Sequence, residues 1–152
     1  MHIALASDNN YAIHLGVHIQ SILETNARPL SIHVLEKNIS SEVKVMIKDL
    51  VLNHGSSAIF YPISFEHEVG GKTPSYINEV AVYRLLMPNL LSDVERVIYI
   101  DVDAITLASL EPLWSMDLGS NLIALAESPW RKYREYKKTI GLGENDPYFN
   151  SG

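Results

Sequence analysis

Apolar positions along the chain alternate between dense short runs and runs at helical spacing. The dense runs are Ile3 to Ser7, Ser31 to Leu35, Ala58 to Tyr61 and Arg96 to Ile100. Their β-branched and aromatic content predicts buried strands. After the first run, Leu15, Ile19, Ile22 and Leu23 recur at helical spacing and predict a helix over Tyr11 to Thr25. Val43, Met46, Ile47 and Leu50 predict a second helix, capped by Ser40 or Ser41 and closed at His54-Gly55. A third is expected over Ile77 to Met87, stopping before Pro88. The polar stretch from Ser64 to Ser75, with Gly70-Gly71, predicts a loop, and Leu122 to Ala126 a further strand.

Strand and helix alternate, which implies an open, mostly parallel α/β sheet with helices on both faces. Right-handed crossovers place the loops after the strands on one edge. The loops after the first and fourth strands can then face one crevice, where open α/β sheets bind ligands.

The 152 residues suit one domain, and a 47% apolar, 20% charged composition is ordinary for a globular chain. A net charge of -6 argues against nonspecific nucleic-acid binding. The absence of cysteine excludes a disulfide framework and a thiolate metal site. The apolar N-terminus is too short for a signal peptide, and no run reaches the roughly 18 apolar residues of a membrane span. A cytoplasmic location is expected. Charge is uneven: Arg131, Lys132, Arg134, Lys137 and Lys138 are interleaved with Trp130, Tyr133 and Tyr136. The stretch Trp130 to Lys138 reads either as a solvated helix packing its rings on the sheet, or as a peripheral contact with an anionic membrane surface.

Three constellations could carry chemistry. Asp101 and Asp103 follow an apolar strand at spacing i, i+2, so both carboxylates of an extended chain can converge on one hard cation. The plainer alternative is a solvated strand end or a cap from Asp103. Asp8-Asn9-Asn10-Tyr11 can bond to a base or ribose and stack an aromatic ring, or can simply cap a helix. Arg84, on an apolar helix, can clamp a diphosphate with its planar fork or lie on the surface. His14 and His18 have metal-ligand spacing but no acidic or sulfur partner beside them. No P-loop, Gly-x-Gly-x-x-Gly turn or Gly-x-Ser-x-Gly elbow is present.

Ala6-Ser7-Asp8-Asn9-Asn10-Tyr11, Tyr83-Arg84, Val97 to Asp103 and Tyr148-Phe149-Asn150-Ser151-Gly152, in that order, resemble glycosyltransferase family 8. Leu110 to Trp114 and Asp117-Leu118-Gly119 resemble the segment after that family's metal motif. The resemblance implies a GT-A fold and transfer of a hexose from a UDP-sugar, with retention, to a glycan or lipopolysaccharide acceptor. It implies manganese or magnesium on Asp101 and Asp103, and uridine held by Asp8, Asn10 and Tyr11 with Ala6 lining the pocket. Arg84 would contact the donor, Val102 would lie beside the ribose and Asn150 near the donor sugar. The catalytic group is left open between an acidic nucleophile and same-face attack by the acceptor. Family members continue past the Phe-Asn-x-Gly element, where a histidine supplies a third metal ligand. The expectation is therefore a C-terminally truncated, incomplete nucleotide-sugar-binding domain over 1–152 that transfers sugar poorly or not at all. A non-catalytic nucleotide- or partner-binding remnant is the alternative, and a nucleotidyltransferase a third reading.

Overall fold

The sheet is built around the strand that the first apolar run predicts. In this computed structural model, residues 1–152 are described apart from 28, 65–78, 128–133, 140, 144, 148 and 150–152, and 134–136 by their backbone alone. The chain forms two compact units, Met1–Ser115 and Met116–Gly152.

Strand β1 (His2–Asp8) buries all five of its central residues. Strand β2 (Ser31–Lys37) does the same. With β3 (Ser57–Pro62) and β4 (Ile98–Tyr99) they form a parallel sheet in the order β3-β2-β1-β4. Burial on both faces explains why the central strands read as continuous apolar runs rather than alternating ones. β4 pairs with β1 only at Ile3↔Ile98 and Ala4↔Tyr99, and the amide of Ile100 extends that pairing to the Ala4 carbonyl at 3.1 Å.

Helices α1 (Ala12–Thr25) and α2 (Ser41–Asn53) cover one face. Their Leu15, Ile19, Ile22, Ile47 and Val51 pack with Ile3, Leu5, Ile32 and Val34. The Ser40 hydroxyl caps α2 by accepting from the Val43 amide at 3.3 Å. Gly55 follows α2 with φ +67°, a left-handed conformation that favours glycine where a helix must stop. One buried carboxylate interrupts this face. Glu36 is paired with Lys44 of α2 and accepts from the Ile39 amide at 2.9 Å, so its charge is compensated.

The opposite face differs from expectation. A 3-10 helix, Glu79–Leu86, lies over Ala4, Ala6 and Leu35 in place of the α-helix expected from Ile77 to Met87. Its buried side chains are Val80, Tyr83 and Leu86, spaced by three, which matches three residues per turn. Pro88 does not end a helix either. It sits in the first turn of a short α-helical segment, Met87–Leu90, where the missing N–H has no helical partner to lose. Leu122 to Ala126 pairs with no strand among the described residues, and Leu122 is fully exposed. The second unit has an isolated antiparallel bridge, Glu127↔Phe149, and a short helix, Arg134–Thr139. The loop expected over Ser64 to Ser75 falls almost wholly outside the described residues, as do Trp130 and most of the basic-aromatic stretch. No helix among the described residues is long and apolar enough to cross a membrane.

A hydrogen-bonded chain crosses this second face at its polar end. His2 Nδ1 lies 2.9 Å from His33 Nε2, and His33 Nδ1 lies 3.0 Å from the Tyr61 hydroxyl. His33 is buried in the sheet, and burial pushes its pKa down from 6.5 to about 4, with the neighbouring His2 adding to the shift. Between those values the unfolded chain binds more protons than the folded one, so folding stability must fall as pH falls. Urea unfolding should therefore give full stability above pH 6.5 and lose about 1–3 kcal/mol on going to pH 4. His33→Gln should flatten that slope. An unchanged slope in the variant would assign the acid sensitivity elsewhere.

Candidate functional site

Three elements end at one open cleft on the carboxyl edge of the sheet. β1 brings Ala6, Ser7 and Asp8, and Tyr11 follows from the next turn. The 3-10 helix brings Val80, Ala81 and Arg84, while β4 and the turn after it bring Tyr99, Asp101, Val102 and Asp103. Pairing of β1 with β4 puts the two acidic ends on the same side. Of the residues singled out in the sequence, Ala6, Asp8, Tyr11, Arg84, Asp101, Val102 and Asp103 thus line one cleft. Asn10 joins them only through Asp8, and Asn150 lies outside the described residues.

Asp8 is held by the turn it caps. Its Oδ1 accepts from the amides of Asn10 at 2.9 Å and Tyr11 at 3.1 Å, which sets the 3-10 turn Asn9–Tyr11 that leads into α1. The capping reading of this motif therefore holds, and it is compatible with the other, because the cap fixes an exposed aromatic ring at the cleft. Tyr11 is 43% exposed and its ring centroid lies 5.1 Å from that of His14. Asn9 Oδ1 accepts from the Ser40 amide at 3.0 Å and ties the turn to the start of α2.

Asp101 is braced from two sides. Its Oδ1 accepts from Arg84 Nη2 at 3.1 Å and from the Tyr99 hydroxyl at 2.9 Å. The Arg84 guanidinium also stacks 4.8 Å from the centroid of the Tyr99 ring, and its Nε donates to the Ala81 carbonyl at 2.7 Å. Burial, then the charge of Asp101, push the Tyr99 hydroxyl pKa up, so it stays a donor at neutral pH. Tyr99 was hidden in the sequence as one more apolar strand residue. Its signal was a hydroxyl in an apolar strand run two residues before an aspartate, a spacing that lets the two side chains share a face.

The carboxylate pair is less regular than an extended strand would give. β4 ends at Tyr99, and Val102-Asp103 form a turn. Val102 is buried in the core behind, while Asp103 is exposed at the cleft. The donor set fits a hard cation nonetheless. Both groups are carboxylates, and among the described residues Asp101 Oδ2 and Asp103 have no hydrogen-bond or ion-pair partner. No group of three or more His, Asp or Glu that could enclose an ion exists among the described residues, so the remaining ligands would come from a bound phosphate or water. His14 and His18 do not form a second such site. His14 is exposed beside Tyr11, whereas His18 is fully buried against Thr106.

Arg84 adds the anion side. Its Nη1 is buried and has no hydrogen-bond partner among the described residues, although the guanidinium lines the cleft. A buried donor without an acceptor is costly, and guanidinium geometry matches phosphate oxygens.

Carboxylates, an arginine and an aromatic ring thus gather at the carboxyl edge of a four-stranded parallel α/β sheet, where open α/β sheets bind ligands. The sequence profile of glycosyl transferase family 8 matches residues 2–152. A putative glycosyltransferase of Haemophilus influenzae is 34% identical over 155 residues, covering 100% of this chain and 47% of that protein. A lipopolysaccharide 1,3-galactosyltransferase of Salmonella typhimurium is 27% identical, covering 99% and 46%. The crystal structure of galactosyltransferase LgtC with donor and acceptor sugar analogues superposes with a TM-score of 0.88 at 28% identity, over 100% of this chain and 56% of that one. The chain belongs to glycosyltransferase family 8, and its fold is the GT-A fold of those neighbours. It spans about half the length of the curated relatives it matches.

The Asp8 cap gives a direct test of the local geometry. Asp8→Ala should lower stability by about 1 kcal/mol in denaturant unfolding, whereas Asp8→Asn, which keeps the accepting oxygen, should cost only a few tenths. Equal losses from both would mean that charge rather than capping holds the turn.

Proposed function

We propose that this chain is the donor-binding part of a metal-dependent, retaining glycosyltransferase that moves a hexose from a UDP-sugar to a glycan or lipopolysaccharide acceptor. The observation that carries this reading is the pairing, in one cleft, of two carboxylates with a buried arginine donor that lacks an acceptor among the described residues. A diphosphate with a divalent cation satisfies both at once. The family match and the galactosyltransferase neighbours support the sugar chemistry.

In this reading the uridine lies against Tyr11 and Asp8, with Ala6 lining its pocket and Asn10 at its edge. Val102 backs the ribose, and Asn150 belongs near the donor sugar. Asp101 and Asp103 hold manganese or magnesium, which supplies positive charge against the diphosphate as it leaves. Arg84 adds a fixed positive charge on the same group. Because Arg84 and Tyr99 both occupy Oδ1 of Asp101, the other oxygen is left for the cation.

Isothermal calorimetry with UDP, with and without manganese, tests the reading. Wild-type protein should bind UDP at least 10-fold more tightly with manganese, and the double variant Asp101→Asn/Asp103→Asn should lose that gain. Arg84→Lys, which keeps the charge but not the fork, should weaken UDP binding about 10-fold. Equally tight, manganese-dependent UDP binding by the double variant would remove the metal assignment. Tighter binding of CTP than of UDP would point to a nucleotidyltransferase.

A further inference from the structure

The 3-10 helix that forms one wall of the cleft is eight residues long, Glu79–Leu86. Runs of this helix type beyond three or four residues are uncommon, because its hydrogen bonds are poorly aligned. Its main chain alone therefore does not hold it in place. Three residues per turn put Val80, Tyr83 and Leu86 on one ridge, buried against Ala4, Ala6 and Leu35. The same period puts Ala81 and Arg84 on the next ridge, and both line the cleft. Apolar packing is non-directional and does not fix the rotation of the helix. One polar cluster supplies the direction. The Tyr83 hydroxyl, on a fully buried side chain, donates to Glu79 Oε1 at 2.7 Å. The other oxygen of Glu79 pairs with the ammonium of Lys37, the last residue of β2. Burial, then Glu79, push the Tyr83 hydroxyl pKa up, so it stays a donor. Among the described residues, the cleft lining includes none of Lys37, Glu79 and Tyr83.

We propose that Glu79 is a positioning residue for Arg84: by tying the Tyr83 hydroxyl to Lys37 at the end of β2, it sets the rotation of the 3-10 helix and so the place from which the guanidinium meets a diphosphate. The inference rests on the donor-site reading above. The helix carries a charged pair towards each end, Lys37 with Glu79 and Arg84 with Asp101. A metal diphosphate recruits Arg84 and Asp101 to itself. Glu79 is a polar tie that does not depend on the ligand, so it keeps the wall seated while Arg84 changes partner.

The sign of the effect separates positioning from plain charge. Removing a negative charge beside an anion site tightens anion binding, and removing a positive one weakens it. Positioning instead predicts that Glu79→Gln and Lys37→Met both weaken UDP binding in the presence of manganese, each about 3-fold by calorimetry. Lys37→Arg, which keeps the pair, should bind UDP within about 1.5-fold of wild type. Adding Glu79→Gln to Arg84→Ala should cost less than about 1.5-fold more, because the group being positioned is gone. Tighter or unchanged UDP binding by Glu79→Gln, whatever its melting temperature, overturns the proposal and leaves the donor site intact. A further loss of about 3-fold in the Arg84→Ala background, as for independent sites, overturns it too. If Glu79→Gln does not fold, Tyr83→Phe, which changes no charge and keeps the ring, should weaken UDP about twofold, and unchanged affinity there overturns the assignment. Wild-type protein that binds no UDP with manganese would overturn the donor-site reading and this proposal together.

Discussion

Everything at the cleft depends on β1 being buried on both faces and paired along both edges. Its partners are parallel, so β1 and β4 must finish at the same side of the sheet. That constraint brings Asp8 and Asp101 to one cleft from positions 93 residues apart. It also fixes what covers each face. α1 and α2 bury the large aliphatic side of β1, and the 3-10 helix covers the small side at Ala4 and Ala6, where the short side chains let its backbone approach. Arg84 rides on that approach and reaches Asp101.

Electrostatics then decide what kind of ligand the cleft suits. A guanidinium beside an aspartate neutralises one charge locally, and Tyr99 shares the same carboxylate oxygen. What is left over, among the described residues, is one free oxygen of Asp101, the exposed Asp103 and the unpartnered Nη1 of Arg84. A cation alone would satisfy only the carboxylates, and an anion alone only the arginine. A metal diphosphate would meet both demands, and it is the ligand that the proposed function assigns to the cleft.

Much of this was legible in the sequence, for identifiable reasons. The central strands β1 and β2 were visible because burial on both faces demands continuous, mostly apolar runs such as Ile3 to Ser7 and Ser31 to Leu35. The sites at Asp8 and Asp101 were visible because charge at the end of such a run has nowhere to go but the sheet edge. The segment over Glu79–Leu86 was misread as an α-helix because apolar residues at 80, 82, 83, 85 and 86 suit either period. Only burial at 80, 83 and 86 reveals the threefold one. Pro88 misled in the same way, since a proline can open a turn as well as close a helix. Tyr99 was missed because its contribution lies in one polar atom, on a residue whose ring packs like an apolar strand side chain. Leu122 to Ala126 has the apolar density of a strand, but density does not supply a neighbour to pair with.

The most direct test of the central claim is anomalous diffraction from crystals grown with manganese and UDP. The account predicts one manganese peak about 2.1 Å from carboxylate oxygens of both Asp101 and Asp103, beside a diphosphate that Arg84 touches. UDP bound in the cleft with manganese absent from these carboxylates, or manganese bound elsewhere on the chain, would contradict it.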